Sequence, residues 1–229
     1  MSMSNSAENK FLLLLFNNTA FALIGDASGL QPSGAAGSLY ISLHTADPGE
    51  AGDQTTNETA YTNYVRVAVA RSGAGWTVSG NSVTNAAAVA FAQCGASGAT
   101  LTHFGIGTSS SAAGVLLLSG TLGPTTIQGP FTGATNDNVT IPGHTLSVDD
   151  RVAFYPTYGS SLPTGITEGT LYWVKTSATD VITISTTQGG ATLDITASGD
   201  GIAIKATPLA VANLITPSFA IGDLAAQID

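Results

Sequence analysis

The chain has 229 residues, of which 43% are hydrophobic and only 9% are charged, and its formal net charge is −9. This length suffices for one large or two small domains, each with its own core. The six basic residues are scattered, with no two closer than five positions, so no basic stripe exists to neutralise nucleic-acid phosphates or anionic lipids. We therefore predict that the protein binds no nucleic acid and does not insert into a membrane.

The segment KFLLLLFNNTAFALIG, from Lys10 to Gly25, has the pattern of a helix. Its apolar run is short for a signal peptide and too short to cross a bilayer, which takes about 20 apolar residues. Asn5 and Glu8 resemble a capping box, and Gly25 is a natural stop. Because apolar residues cover nearly every face of the first half, the helix is expected to pack on a core or on a neighbouring subunit. The candidate assembly-interface residues are Phe11, Leu12, Leu15, Phe16 and Phe21.

Short strand-like segments follow, separated by turns that are rich in Gly, Asn and Ser. Their apolar residues alternate with a period of two, which is typical of an antiparallel sandwich or barrel. The clearest segments are LYISLHT from Leu39, YVRVAVARS from Tyr64, TLTHFGIGT from Thr100 and GVLLLSGTL from Gly114. In the second, the alternation places Val65, Val67 and Val69 on one face and Arg66 on the other.

The sequence changes character near Gly123, where GPTTIQGPFTGATND has the composition of a linker. Strand and turn patterns then run from Asn138 to Lys205, and ATPLAVANLITPSFAIGDLAAQID resumes the earlier style. We predict a mainly β protein, in which an antiparallel β-sandwich has an N-terminal helix and a second small β-barrel-like domain is inserted before the last strand. The predicted parts are a helical segment at 1–30, a sandwich at 31–122 completed by 206–229, and the inserted domain at 123–205.

The stretch ISLHTADPGEAGDQTTNET begins as a strand and becomes an acidic loop. One interpretation is a metal or substrate site formed by His44, Asp47, Glu50 and Asp53. The other is a strand that runs into a turn, because in Ala-Asp-Pro-Gly the Asp caps the turn, Pro fixes φ and Gly supplies positive φ. The turn is the simpler interpretation, and it makes the acidic segment a solvated or partner-facing loop.

The motifs of common enzymes are missing from the sequence. It contains no GxSxG nucleophile elbow, no GxxxxGK[ST] phosphate loop and no Cys/His set at zinc spacing. His44 and His103 each lie in or at the end of a strand, where a hydrogen-bonded structural histidine is the commoner case. The single cysteine, Cys94, is expected to be a buried thiol. We therefore predict no catalytic residues, no cofactor and no metal, and a protein that is not an enzyme.

The inserted segment contains four aromatic residues that could meet a ligand. Tyr155, Tyr158 and Tyr172 are candidates for surface recognition, with Trp173 beside them, and together they could form a platform for a sugar. The alternative places one of Tyr172 and Trp173 in a small core and the other outside, since neighbouring strand residues face opposite ways. On this alternative Trp173 is the favoured core residue.

The motifs LYISLHTADPGE, YTNYVRVAV, THFGIG and PLAVANLITPSFAIGDL occur in an order that resembles a family of tailed-bacteriophage virion proteins. Members share LYxxLHTADPGE, YxxYxRxAV, THxGIG and PLxVANxxTPxFAxGxL, and they are labelled phage structural, head-decoration or tail-fibre-like proteins. The resemblance covers Leu39–Leu122 and Thr207–Leu224. A second resemblance, through VTIPGHTLSVDDRVAF, LPTGITEGTLYWV and DVITIST, is to a small β module that is common in phage fibre and appendage proteins.

The resemblance implies a non-enzymatic virion structural protein, assembled in the bacterial host cytoplasm. The leading expectation is a capsid decoration or cement protein that binds the outside of the major capsid shell, with the inserted domain projecting outward. The alternative is a tail, collar or fibre component whose inserted domain contacts the host surface. Expected partners are the major capsid protein or other virion proteins, further copies of the same chain with a trimer favoured, and, on the alternative, a host surface glycan.

Overall fold

The computed structural model describes residues 3–123 and 125–228. It confirms the predicted fold class, since it is mainly β, with 37% strand and 6% helix, a helix at the N-terminal end, antiparallel sheets and a closed barrel. We call residues 3–123 and 207–228 the first body and residues 125–206 the barrel. Before the barrel lie α1 (Asn5–Asn17), β1 (Ser38–His44), β2 (Val67–Ala70), β3 (Trp76–Ser79), β4 (Ser82–Asn85), β5 (Val89–Ala90), β6 (Ala99–Leu101), β7 (His103–Gly107) and β8 (Leu116–Thr121).

Helix α1 begins and ends earlier than the sequence pattern indicates. Its N-cap is Ser4, whose side chain accepts a hydrogen bond from the Ala7 amide, and not Asn5. Its C-cap is Asn18 at φ 53°, so the helix does not reach Gly25. Asparagine tolerates this left-handed conformation better than most residues, and the chain can therefore turn there without glycine.

The helix packs on the core of the first body through its apolar side. Phe16 contacts Trp76 edge to face, with ring centroids 4.9 Å apart, and both side chains are fully buried. Arg71 holds the end of the helix, because its guanidinium donates to the carbonyls of Leu14 and Leu15 at 2.9 and 2.8 Å. A cation at that end also complements the helix dipole.

The first body is built on a four-stranded antiparallel sheet in the order β2-β1-β7-β8. The segment that follows the barrel adds three short strands, each paired with an earlier one: β15 (Leu209–Val211) with β6, β16 (Ser218–Phe219) with β5, and β17 (Ala225–Gln227) with β4. These pairs lie around one apolar core that includes Ile41, Leu43, Trp76, Phe91 and Leu101. The last residues of the chain thus close the body that its first residues begin.

The strands of the barrel are β9 (Thr125–Gly133), β10 (Val139–Thr140), β11 (Arg151–Tyr155), β12 (Tyr172–Ser177), β13 (Val181–Ser185) and β14 (Gly199–Ala206). They close into an antiparallel ring in the order β10-β13-β12-β11-β14-β9. The core of the barrel is apolar and includes Phe131, Phe154, Val174, Ile182 and Ile184.

The chain enters and leaves the barrel at one place. Thr125 and Ala206 are register partners at the ends of β9 and β14. Next to them, Gly123 has a φ of +84°, and a Cβ at that position would overlap the Thr207 carbonyl oxygen. Glycine is therefore required where the two connections cross. Independent folding of the inserted segment 123–205 stays a prediction, for which the Discussion gives a test.

No helix within residues 3–123 and 125–228 has the length and apolarity needed to span a membrane.

Candidate functional site

His44, the histidine at the end of β1, belongs to a buried hydrogen-bond network. Its Nδ1 lies 2.8 Å from the Thr56 carbonyl oxygen and its Nε2 lies 2.8 Å from the Ser42 hydroxyl. Because a carbonyl can only accept, Nδ1 carries the proton and Nε2 of the neutral ring accepts from Ser42. Burial lowers the pKa of His44, while the Thr56 carbonyl and the nearby Glu58 carboxylate oppose that shift. Both ring nitrogens are thus occupied within the protein.

The carboxylates of the acidic loop do not converge on His44. Asp47 caps its own turn, since its Oδ1 accepts from the Gly49 amide at 2.9 Å, as the turn interpretation expects. Asp53 accepts from the Thr55 hydroxyl at 2.6 Å and from the Thr55 amide at 2.7 Å, and these two hydrogen bonds lower the pKa of its carboxyl group. In the described ranges, no three His, Cys, Asp or Glu side chains are grouped so that they could hold a metal ion.

An ion pair behind this loop, between a buried Arg66 and a partly exposed Glu58, was not predicted from the sequence. Arg66 binds Glu58 in a bidentate manner, with Nε to Oε1 and Nη2 to Oε2 both at 2.7 Å. The Tyr64 hydroxyl donates to the same carboxylate at 2.8 Å and accepts from the Leu43 amide at 3.0 Å. Burial raises the pKa of Tyr64 far above its usual value.

The expected face pattern around Arg66 is wrong. Arg66 is buried, whereas Val65 is 61% exposed. The strand β2 begins only at Val67, so the alternation read from the sequence does not extend back to Val65. A buried guanidinium needs a paired anion, and an acidic residue eight positions earlier was the signal that could have revealed it.

A cleft of about 690 Å³ separates the first body from the barrel. The first body contributes β8, part of the acidic loop and His103. The barrel contributes Tyr155 and the loop 167–170. The two walls approach each other at two places. The Thr121 hydroxyl lies 3.3 Å from the Tyr155 hydroxyl. Gly169 lies so close to the Asp47 side chain that a Cβ at this glycine would be 2.5 Å from Asp47 Oδ2.

His103 lies in the wall of this cleft, close to the backbone of Gly169. The residue is 2% exposed. Its Nδ1 lies 2.9 Å from the Thr102 hydroxyl, but its buried Nε2 has no hydrogen-bond partner. Burial lowers the pKa of His103, while the Asp47 carboxylate and the adjacent Gly169 backbone oppose this shift. The ring is therefore neutral near pH 7.

The structure separates the aromatic residues that were expected to form one platform. Tyr155 is half-buried in the wall of the cleft. Tyr158 is fully exposed on a loop and is not among the residues that line the cleft. Tyr172 is 3% exposed, and its hydroxyl accepts from the Thr167 amide at 2.8 Å. Tyr172 is therefore a core residue and not a surface one, contrary to expectation.

Trp173, the favoured core residue, is the one of the pair that faces outward. Its ring is half-buried, with the Arg151 guanidinium 4.4 Å from the ring centroid. The alternation of Tyr172 and Trp173 was predicted correctly, but the assignment of the inner position was reversed. A tyrosine can occupy that position because its hydroxyl finds a backbone partner at the end of the barrel.

The expected assembly-interface residues fall into two groups. Leu12 and Phe16 are buried in the core of their own chain, and neither offers a surface to a partner in this structure. Leu15 packs partly against the same core, Phe21 is half-buried, and Phe11 is 43% exposed. A role in assembly stays a prediction, and Phe11 is the residue best placed for it.

Comparison with protein families connects these features to a class of protein. The family model described as podophage GP4 fiber I protein gp80 matches residues 2–149, which is more than half of the chain. The chain belongs to this family. The match includes α1, the whole four-stranded sheet and the first two barrel strands, so it confirms the resemblance to tailed-phage virion structural proteins. No curated protein matches the chain.

Proposed function

We propose that the protein is a non-enzymatic structural subunit of a fibre-like appendage of the phage virion. The family match carries this proposal, because the family is described as a podophage fibre protein. On this view the first body makes the contacts that build the appendage, and the barrel projects from it. The protein acts through contacts with other proteins and with surfaces.

The distribution of exposed apolar side chains supports this orientation. Among the described residues, eleven of the fourteen exposed large hydrophobic side chains belong to the first body, and the barrel has only Ile127, Val148 and Tyr158. Exposed apolar area is the part of a surface that gains most from contact with another protein, so this uneven distribution favours the first body as the part that makes contacts. Those of the first body are Met3, Phe11, Leu23, Ile24, Leu30, Val65, Val115, Leu209, Leu214, Ile215 and Ile221.

Self-association is part of the proposal, with a trimer favoured. A chain with only 9% charged residues loses little hydration when its surface is covered, and closed symmetric oligomers are the usual form of such assemblies. Sedimentation equilibrium of the purified protein tests this part. A single species of three chains supports the trimer, and a monomer at every concentration contradicts it.

A capsid decoration protein, the leading expectation from the sequence, is the second candidate. The same apolar surface of the first body could dock on the major capsid protein, and low charge suits either setting. The description of the family favours the fibre role, so we place it first.

Electron microscopy of intact particles with gold-labelled polyclonal antibody tests the location. The fibre proposal expects gold at the tail or neck. Label spread over the head would establish decoration instead. Absence of the protein from purified particles, judged by immunoblot, would contradict both roles.

A further inference from the structure

Strand β8 is an outer strand of the four-stranded sheet, and its outer edge is open. The order β2-β1-β7-β8 leaves one side of β8 without a neighbouring strand. On the other side, the Leu122 amide donates to the Thr102 carbonyl at 2.7 Å. Because the hydrogen-bonding direction alternates along an antiparallel strand, the N–H and C=O groups of Ser119 and Thr121 point away from β7. Within the described residues, no backbone group pairs with them.

Strand β8 also lacks the residues that usually protect such an edge. Proteins place Lys or Pro on exposed edge strands to prevent pairing with another chain, and the sequence LLLSGT has neither residue and no charge. The register with β7 shifts only at the beginning of β8, so Leu118–Thr121 is regular. An open, regular edge of this kind can accept an extended segment through backbone hydrogen bonds.

A cavity lies on each face of this edge. The cleft of about 690 Å³ and a second cavity of about 410 Å³ share the four lining residues Leu118, Ser119, Gly120 and Thr121. Successive side chains of a strand point to opposite faces of its sheet. A strand added to β8 would therefore direct its side chains into the two cavities in turn.

The second cavity lies on the apolar face of the sheet. Leu118 and Gly120 pair with Ile106 and Phe104, which contact the apolar core of the first body, and directly paired residues share a face. Phe104 and Leu118 line the second cavity, Ile204 lines it from the barrel, and none of its described lining residues is charged. This cavity suits apolar side chains.

The cleft lies on the other face, towards which Ser119 and Thr121 point. Its described lining has no Lys or Arg but includes the carboxylates of Asp47, Glu50 and Glu168. Neither ion pair of the described chain involves these three residues. Basic side chains would be attracted to this cavity and acidic ones repelled.

We infer that β8 accepts an extended segment of another protein as a fifth strand of the sheet, with basic side chains of that segment in the cleft and apolar side chains in the second cavity. The outward backbone groups of Ser119 and Thr121 supply the hydrogen bonds, and the two cavities select a sequence in which basic and apolar residues alternate. A second copy of this chain does not supply such a segment, since the Lys and Arg residues within its described strands belong to the closed barrel. This goes beyond the proposed function, because the partner chemistry is the same for a fibre protein and for a decoration protein.

Titration of the full-length protein with fluorescein-labelled hexapeptides tests the inference. The probes are Lys-Val-Lys-Val-Lys-Val, its acidic counterpart Glu-Val-Glu-Val-Glu-Val and the isomer Lys-Lys-Lys-Val-Val-Val, followed by fluorescence anisotropy up to about 1 mM protein. We expect the alternating basic peptide to bind at least about tenfold more tightly than either control, since only its side chains match both cavities. Amide hydrogen exchange, measured by NMR, should slow at Ser119 and Thr121 when this peptide binds.

Matched variants locate the binding. Ser119→Pro removes an outward N–H and keeps the hydrogen bonds to β7, so it should weaken binding of the alternating basic peptide about tenfold. Ser119→Ala keeps the N–H and should change nothing.

A second set of variants tests the charge without altering the backbone. Glu50→Gln combined with Glu168→Gln should weaken binding about threefold to tenfold. Asp200→Asn removes an exposed carboxylate outside both linings and should have no effect. Because these substitutions lie at exposed positions, they decide the question even if Ser119→Pro prevents folding.

Four results would overturn the inference. The first is equal binding of the three peptides, or no binding of any of them. The second is an affinity that neither a folded Ser119→Pro variant nor the double glutamine variant lowers. The third is slowed exchange at β2, the other edge of the sheet, in place of β8. The fourth is protection of Ser119 and Thr121 that rises with protein concentration without peptide, since that would assign the edge to a second copy of the chain.

Discussion

The first body buries nine polar or charged side chains, whereas the barrel, among the described residues, buries only Ser185. The barrel is closed, so its strands satisfy one another around the ring and its interior can be apolar. The first body has short strands and long loops, whose backbone groups need side-chain partners. Gln54 is an example, because it accepts from the Ser109 amide at 2.8 Å and donates to the Tyr40 carbonyl at 3.3 Å.

The first body, whose interior is the more polar of the two, has the more apolar outer surface. The first body has most of the exposed apolar side chains and the barrel has few of them. A polar interior fixes one arrangement of loops, and an apolar exterior suits contact with other proteins. This contrast is the basis of our proposal that the first body makes the assembly contacts and that the barrel projects from it.

The largest expected effect comes from removing the barrel. Replacing residues 124–206 by a short turn should leave a folded first body, because Thr125 and Ala206 are paired neighbours and the gap to close is small. Calorimetry should show two transitions in the full chain and should lose one of them in the variant. Loss of all cooperative unfolding would show that the two bodies depend on each other.

Breaking the ion pair of Arg66 and Glu58 should destabilise the first body strongly. Arg66→Met removes the cation beside Glu58. Because Glu58 is 16% exposed and keeps the hydrogen bond from Tyr64, the expected cost is about 3 kcal/mol, the lower end of the range for buried pairs. The matched control is Lys205→Met in the barrel, where the Lys205–Asp150 pair at 2.6 Å is partly exposed and should contribute about 1 kcal/mol or less. Urea unfolding measures both, and equal losses would contradict the distinction.

The helix offers a sharper test of where the core lies. Phe16→Ala should cost about 3–5 kcal/mol, since it opens a cavity against Trp76. Phe11→Ala, on the exposed side of the same helix, should change stability by roughly 0.5 kcal/mol or less but should weaken self-association. If Phe16→Ala were neutral to folding and disrupted only assembly, the helix would belong to an interface and not to this core.

The smallest expected effect is a loss of first-body stability in mild acid. The pKa values of His44 and His103 are lowered by burial, so the unfolded chain binds more protons than the folded one below a pH of about 6.5. Their contribution is complete above that pH and decreases as the pH falls from about 6.5 towards 5. Urea unfolding of the His44→Gln, His103→Gln double variant should show a flatter pH dependence, and an unchanged slope would contradict this origin.

The sequence predicted what depends on local pattern. Alternation located the strands that hold His44 and His103, and the Ala-Asp-Pro-Gly turn formed as its residue types require. The sequence did not reveal contacts that depend on how distant segments align with each other. Arg66 is buried because Glu58 lies opposite it, and Tyr172 faces inward because of the register in which the barrel closes.

The cleft is another feature beyond the reach of local pattern. It exists because the barrel, inserted after β8, lies back against the acidic loop that precedes β2. Asp47, His103 and Gly169 meet there, although 56 and 66 positions of the chain separate them. The sequence analysis had singled out Asp47, Glu50, His103 and Tyr155 for separate reasons, and nothing in their spacing indicated that they line one cleft.

The central claim, that the first body assembles and the barrel faces outward, is tested most directly with two gold-labelled Fab fragments on intact particles. One Fab is raised against the exposed loop at Tyr158 of the barrel, and the other against the helix surface at Phe11. We predict that the barrel Fab labels intact particles and that the helix Fab labels only dissociated protein. Intact particles that bind the helix Fab and exclude the barrel Fab would contradict the claim.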